Sequence, residues 1–207
     1  MLLHFFTRQE PKVPPLTTFH WVRHGPTHEK TFVGWRDVSA DLSDQARIAR
    51  LHAHLPGDAL LIASDLRRAS ATADVIGAGR TRLPDHPDLR EFHFGDWDGK
   101  HFNDIARAHP ELSRAYWETP GDIVPPGGES WNMAGDRVNR VVDRLIRDHM
   151  GRHIVAVAHI GVIMTQIQRA MGAAPEEVIG NRIDNLSATE LHYDGQNWHV
   201  TRINHCP

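Results

Sequence analysis

Two short, continuously apolar runs constrain this chain most: Ala59-Leu60-Leu61-Ile62-Ala63 and Ile154-Val155-Ala156-Val157-Ala158. A strand with one wet face alternates apolar and polar residues, so a run without alternation must be covered on both faces. Thr17 to Val22 is a third β-prone run. Between and after these lie stretches of helical spacing. Ile48, Leu51 and Leu55 follow Ser43 as an N-cap, and Ala69, Ala73 and Ile76 are stopped by Gly77 and Gly79. Val138, Val141, Val142, Leu145 and Ile146 trace one face, with Gly151 at the expected C-cap, and Val162 to Met171 form a last helix. Strands alternating with helices predict an α/β fold, a three-layer α-β-α sandwich around a mostly parallel sheet. Residues 188–193 and 198–203, on either side of Asp194-Gly195-Gln196-Asn197, predict a hairpin. The irregular stretch 119–128 is expected to loop over the site.

A length of 207 residues suits one domain, read here as residues 17–207, behind an N-terminal extension over residues 1–16 that contains Pro11, Pro14 and Pro15. The net charge of −3, with both signs interspersed, gives no footprint for nucleic acid. No apolar run approaches the roughly 20 residues of a membrane span. The apolar start is broken by His4 and followed by Arg8, Glu10 and Lys12, which makes a poor signal peptide. A single cysteine, Cys206, excludes an internal disulfide and a cysteine-based zinc site, and a cytoplasmic protein is expected. Sixteen histidines invite a metal reading. However, there is no His-Glu-x-x-His, and His52 and His54 are two apart, hence on different sides of a helix. No metal or cofactor is expected, and the sequence leaves the oligomeric state open.

The polar groups that end the apolar runs carry the chemistry. Arg23-His24-Gly25 ends one run, His159-Ile160-Gly161 another, and Ser64-Asp65-Leu66-Arg67-Arg68-Ala69 the third. In open α/β sheets the carboxyl ends of parallel strands line the ligand crevice. If these strands are neighbours, two histidines and several arginines converge there. Guanidiniums would clamp phosphoryl oxygens while a neutral imidazole attacks phosphorus. Taken singly, a histidine after a buried strand is more often a turn residue, and an arginine at a helix start a solvated one.

Arg23-His24-Gly25-Pro26-Thr27 resembles the Arg-His-Gly-x-Thr signature of the histidine phosphatase superfamily, the phosphoglycerate mutase-like group that includes α-ribazole phosphatases and fructose-bisphosphatase-type members. Ser64-Asp65-Leu66-Arg67-Arg68-Ala69-Ser70-Ala71-Thr72-Ala73 is similar to its Ser-x-Leu-x-Arg-Ala-x-x-Thr-Ala, a register that puts Arg68 rather than Arg67 in the phosphate-binding place. Leu89 to Gly99 is similar to Leu-x-Glu-x-x-x-Gly-x-Trp-Glu-Gly, with Asp98 for the second glutamate, and Ala158-His159 stands where the second histidine belongs.

The resemblance implies a phosphoglycerate mutase-like fold and a metal-independent phosphomonoester hydrolase, acting on a small phosphate ester through a phosphohistidine at His24. It implies that Glu91 is general acid and then base. Arg23, Arg68 and His159 would bind and neutralise the phosphoryl group, with Thr27, Lys30 and the backbone N–H of Ile160 as further phosphate contacts. Three positions depart from the pattern. Pro26 replaces Glu or Gln, Lys30 stands where many members have Asn, and Ile160 replaces a common Gly, which a β-branched residue imitates badly if φ must be positive. Mutases of this group carry a longer insertion than the 67 residues between Glu91 and His159, which favours a phosphatase. A phosphoglycerate mutase-type transferase and a non-catalytic member that binds phospho-ligands are the alternatives. Phe32, Trp35, Trp97 and Trp117 are candidates for stacking on a ring, packing being at least as common a role.

Overall fold

The computed structural model describes residues 15–207. The extension expected over residues 1–16 therefore lies, except for Pro15 and Leu16, outside the described residues. The elements run β1 (Thr17–Arg23), α1 (Gln45–His54), β2 (Leu60–Ala63), α2 (Arg67–Ile76), β3 (Thr81–Arg82), α3 (Phe102–Ala108), α4 (Pro110–Glu118), α5 (Trp131–Asp148), β4 (His153–Ala158), α6 (Ile160–Met171), α7 (Pro175–Val178), β5 (Ala188–Tyr193) and β6 (Trp198–His205). One six-stranded sheet has the order β3-β2-β4-β1-β5-β6. The first four strands in that order are parallel, and the predicted hairpin β5–β6 adds two antiparallel strands beside β1.

The missing alternation in the apolar runs is accounted for by a layer on each face. Phe19, Trp21, Ile62, Ile154, Ala156 and Ala158 pack with Val138, Val141 and Val142 of α5 and Val162, Ile163 and Ile167 of α6. On the opposite face Val22, Leu61, Ala63, Val155 and Val157 pack with Ile48 and Leu51 of α1 and Ala69, Ala73 and Ile76 of α2. Each such aliphatic side chain contributes about 1.5–3 kcal/mol on full burial, which is why these runs tolerate no polar residue. This is the expected three-layer α-β-α sandwich. Among the described residues no helix is long and apolar enough to cross a membrane.

Local details differ from the sequence expectations. Asp44, not Ser43, caps α1, its carboxylate accepting from the Arg47 N–H at 3.0 Å, while Ser43 N–H donates to Asp41. Helix α5 ends at Asp148 with His149 as C-cap, and Gly151 instead makes the turn into β4 at φ +80. Ser130 caps the start of α5 through Met133 N–H.

Registry brings the polar strand ends together. In the β1–β4 ladder Arg23 sits opposite Ala158, so the next residues, His24 and His159, leave the sheet side by side, and His24 N–H donates to Ala158 O at 3.1 Å. On the other side of β4, Ala63 pairs with Val157, and the chain then turns into α2, which carries Arg68 in its first turn.

Candidate active site

Both histidines are buried, and their ring centroids are 5.0 Å apart. Nδ1 of His24 lies 2.7 Å from the Gly25 carbonyl, a pairing that only an Nδ1–H can make. That tautomer leaves Nε2 with its lone pair and without a partner among the described residues. Burial, reinforced by the Arg68 and Arg23 charges, lowers the His24 pKa to about 3, so the imidazole is neutral at physiological pH. His159 has the opposite tautomer. Its Nδ1 accepts from Arg68 Nε at 3.2 Å, which leaves Nε2 as the protonated nitrogen, buried and without a partner among the described residues. Burial, followed by the Arg68 charge, lowers its pKa well below the usual histidine range.

Arg68 is 1% exposed. Its Nη1 donates to Arg36 O at 3.0 Å and its Nη2 to Gly34 O at 2.7 Å, so it binds the 33–36 loop to the site. Asp98 fastens the same loop from below by accepting from Gly34 N–H and Arg36 N–H at 3.1 and 2.9 Å. Arg23, half-buried, donates from Nη1 to Ile183 O at 2.6 Å, and its Nε is buried with no partner among the described residues. Two buried donors, Arg23 Nε and His159 Nε2, are thus left unpaired in one place, an arrangement that suits an anionic ligand.

Glu91 is buried on the same cavity. Its Oε1 accepts from Phe92 N–H at 2.9 Å and its Oε2 from Gly161 N–H at 3.3 Å. Burial nevertheless dominates and raises its pKa, favouring the protonated carboxyl. Gly161 lets α6 approach closely here, because a Cβ would stand 2.5 Å from Glu91 Oε1 and would have to displace that carboxyl. The cavity holding these groups has about 260 Å³ and is lined by Arg23, His24, Arg68, Glu91, Thr27 and Ile160, with Phe32, Phe94 and Trp117 among its outer wall.

The structure therefore gathers His24, Arg23, Arg68, Glu91, Thr27 and Ile160 on one cavity, with His159 buried against two of them. Lys30 does not line this cavity. It is exposed beside a shallower depression with Phe32 and Phe102. Ile160 opens α6 and is not among the residues with positive φ, so its β-branch meets no strain and its N–H is a free first-turn donor. The loop over residues 119–128, expected above the site, packs on the 93–96 turn instead: Asp96 N–H donates to Pro126 O, and Glu129 N–H, just beyond the loop, donates to His93 O. Of the four ring-stacking candidates, Trp97 is fully buried in the core, and Trp35 lies over Arg90 with its Nε1 on Glu91 O at 2.7 Å. Phe32 and Trp117 stack on each other at 5.9 Å along the cavity wall.

Some contributors were assigned no role from the sequence. Thr72 Oγ accepts from Gly25 N–H at 3.0 Å and donates to Arg68 O, and its spacing of four from Arg68 on α2 was the available signal. Asn185 holds His24 O at 2.8 Å, and Arg137 donates to Glu91 O at 2.9 Å while pairing with buried Glu129 at 2.6 Å. These come from distant loops and a distant helix, and no local pattern marks them. Among the described residues no group of three or more His, Cys, Asp or Glu side chains is placed to hold a metal ion.

The chain is similar to several known proteins. The chain is 31% identical over 189 residues to phosphoglycerate mutase-like protein 4 of Arabidopsis thaliana, covering 86% of this chain and 81% of that protein. It is 29% identical over 170 residues to the adenosylcobalamin/α-ribazole phosphatase of Escherichia coli, covering 79% and 83%. A bifunctional protein of Mycobacterium tuberculosis matches at 34% identity, over only 43% of its own length. Among solved structures, Bacillus stearothermophilus YhfR superposes with a TM-score of 0.84 at 25% identity, over 92% of this chain and 98% of its own. The model of the histidine phosphatase superfamily (branch 1) matches residues 19–205, and the chain belongs to that family.

Proposed function

We propose that this protein is a phosphomonoester hydrolase that works through a phosphohistidine at His24 and requires no metal ion. The observation that carries the reading is the fixed tautomer of His24: Nδ1–H is tied to Gly25 O, so a neutral Nε2 faces a cavity that also holds Glu91, whose burial favours the protonated carboxyl. In the first step the Nε2 lone pair attacks phosphorus and the ester P–O bond breaks. The departing alkoxide takes the Glu91 proton. The phosphoimidazolium keeps its Nδ1–H on Gly25 O, while Arg23, Arg68 and His159 Nε2–H carry the phosphoryl oxygens, and Thr27 and the Ile160 N–H serve its rim. In the second step water gives a proton to the Glu91 carboxylate and attacks phosphorus, and the P–N bond breaks. Inorganic phosphate leaves, and His24 is neutral again.

The test is a panel of phosphomonoesters with the wild type and His24→Ala, scored by phosphate release and by an alkali-stable, acid-labile phosphoenzyme after rapid quench. Turnover that survives EDTA, is inhibited by vanadate and disappears with the phosphoenzyme in His24→Ala is the expected result. Loss of activity on chelation overturns the metal-independent reading. Isomerisation of 3-phosphoglycerate exceeding hydrolysis would make the protein a mutase, and phosphate binding without turnover of any ester would make it a binding protein.

A further inference from the structure

Beside the phosphate cavity lies a second one of about 230 Å³ that the chemistry above leaves unused. The two share Glu91, Phe94, Trp117 and Ile160, so the second opens off the first at the general acid, where a leaving group departs. Its remaining wall is largely aromatic and apolar, with Phe92, Tyr116, Trp131 and Met164. Phe92 and Trp131 meet edge to face at 5.4 Å, and Tyr116 stands at 88° to Trp117, so flat faces and edges surround the space. A cavity of about 150 Å³ lined by apolar side chains takes a benzene ring, and this one has room for a ring and a short linker. Little in its wall would re-pair the hydroxyls of a polyol, which would lose their water there. Two donors in the wall are exceptions, the Tyr116 hydroxyl and the Trp117 Nε1–H, both buried with no partner among the described residues.

The geometry points to a leaving-group subsite for an aromatic alcohol: the preferred substrates are phosphate monoesters whose alcohol carries an aromatic ring one or two carbons from the ester oxygen. This rests on the hydrolase reading above.

The test compares two esters of primary alcohols with similar leaving ability, 2-phenylethyl phosphate and glycerol 1-phosphate. A kcat/KM ratio of tenfold or more in favour of the phenyl ester is expected, and a smaller or reversed ratio overturns the proposal. Met164→Gln, which places an amide in the wall, lowers that ratio at least threefold; an unchanged ratio in a folded variant argues that the ring binds elsewhere. The wild-type ratio stands whether or not the variant folds. Calorimetric titration with 2-phenylethylphosphonate and 2-hydroxyethylphosphonate separates the two readings. Without turnover of any ester the hydrolase reading fails, yet tenfold tighter binding of the phenyl phosphonate, displaced by inorganic phosphate, still supports the subsite. Equal binding of the two phosphonates overturns the subsite even in an active enzyme.

Discussion

Nε of Arg68 donates to Nδ1 of His159 across 3.2 Å, and this one bond decides which nitrogen of the second histidine carries the proton. The same guanidinium spans Gly34 O and Arg36 O of the 33–36 loop, so these three acceptors, on two segments far apart in sequence, depend on one planar fork. A lysine ammonium is a point charge and cannot serve all three. Arg68→Lys is expected to lower kcat/KM by roughly 10²–10³ through loss of transition-state stabilisation. It should also lower stability by about 1–3 kcal/mol, because buried carbonyls lose their donor. Steady-state kinetics and urea unfolding check both, and a variant with near wild-type kcat/KM would show that Arg68 serves packing alone.

Gly161 marks how closely α6 approaches Glu91. In Gly161→Ala the new methyl would press on Glu91 Oε1 at 2.5 Å and on the Phe92 ring at 3.0 Å. The helix can accommodate alanine, so the strain falls on the carboxyl, at about 1–3 kcal/mol. We expect kcat on alkyl phosphates to fall on the order of tenfold to a hundredfold with a modest loss of thermal stability. Unchanged kcat with reduced stability would dissociate Glu91 placement from turnover.

The acid–base behaviour follows from opposite shifts. Burial raises the Glu91 pKa, which favours its protonated form, and lowers that of His24 to about 3, which keeps the imidazole neutral. The alkaline limb of kcat/KM for an alkyl ester is assigned to Glu91 losing its proton. Glu91→Gln should remove that limb and lower kcat by roughly 10²–10⁴ on an alkyl phosphate. On p-nitrophenyl phosphate, whose leaving group needs no proton, the variant should show a burst of nitrophenol followed by slow turnover, since the second step still lacks a base. A wild-type alkaline limb retained in Glu91→Gln assigns the titration to another group.

Much of this was visible in the chain because burial on two faces and strand registry are local properties. Continuously apolar runs such as 154–158 announce a sandwiched strand, and the residues just beyond them must emerge at the carboxyl edge, as His24 and His159 do. The site-assembling contacts of Asn185 and Arg137 were not legible, since each spans a long stretch of sequence to a backbone carbonyl. Helices α3 and α4 escaped for another reason: α3 has only seven residues, and Ile105 is the one residue it buries, too little periodicity to read. The edge strand β3 has two residues, Thr81 and Arg82, below any pattern. Lys30 shows the limit of register: a position in a motif does not say which way a long side chain on an exposed loop will face.

His20 makes a last prediction that does not pass through the active site. It is buried on β1 with Nε2 3.2 Å from His153 Nδ1 and Nδ1 3.7 Å from Glu190 Oε2. Burial outweighs the attraction of Glu190 and lowers its pKa to about 4, with His153, His54 and His192 opposing the charged form as well. The unfolded chain therefore takes up a proton on this residue at about pH 6.5, which the folded chain resists until about pH 4. Stability from this group is present above the unfolded value and is lost as pH falls through the interval between them. Its slope is at most about 1.4 kcal/mol per pH unit. His24 acts with the same sign over a window reaching to about pH 3. Urea unfolding at several pH values between 7 and 4.5 should thus show a steady fall for the wild type. His20→Gln should show a slope shallower by about 1 kcal/mol per pH unit, whatever its stability at pH 7. Parallel slopes for the two proteins would mean that His20 titrates alike in the folded and unfolded states.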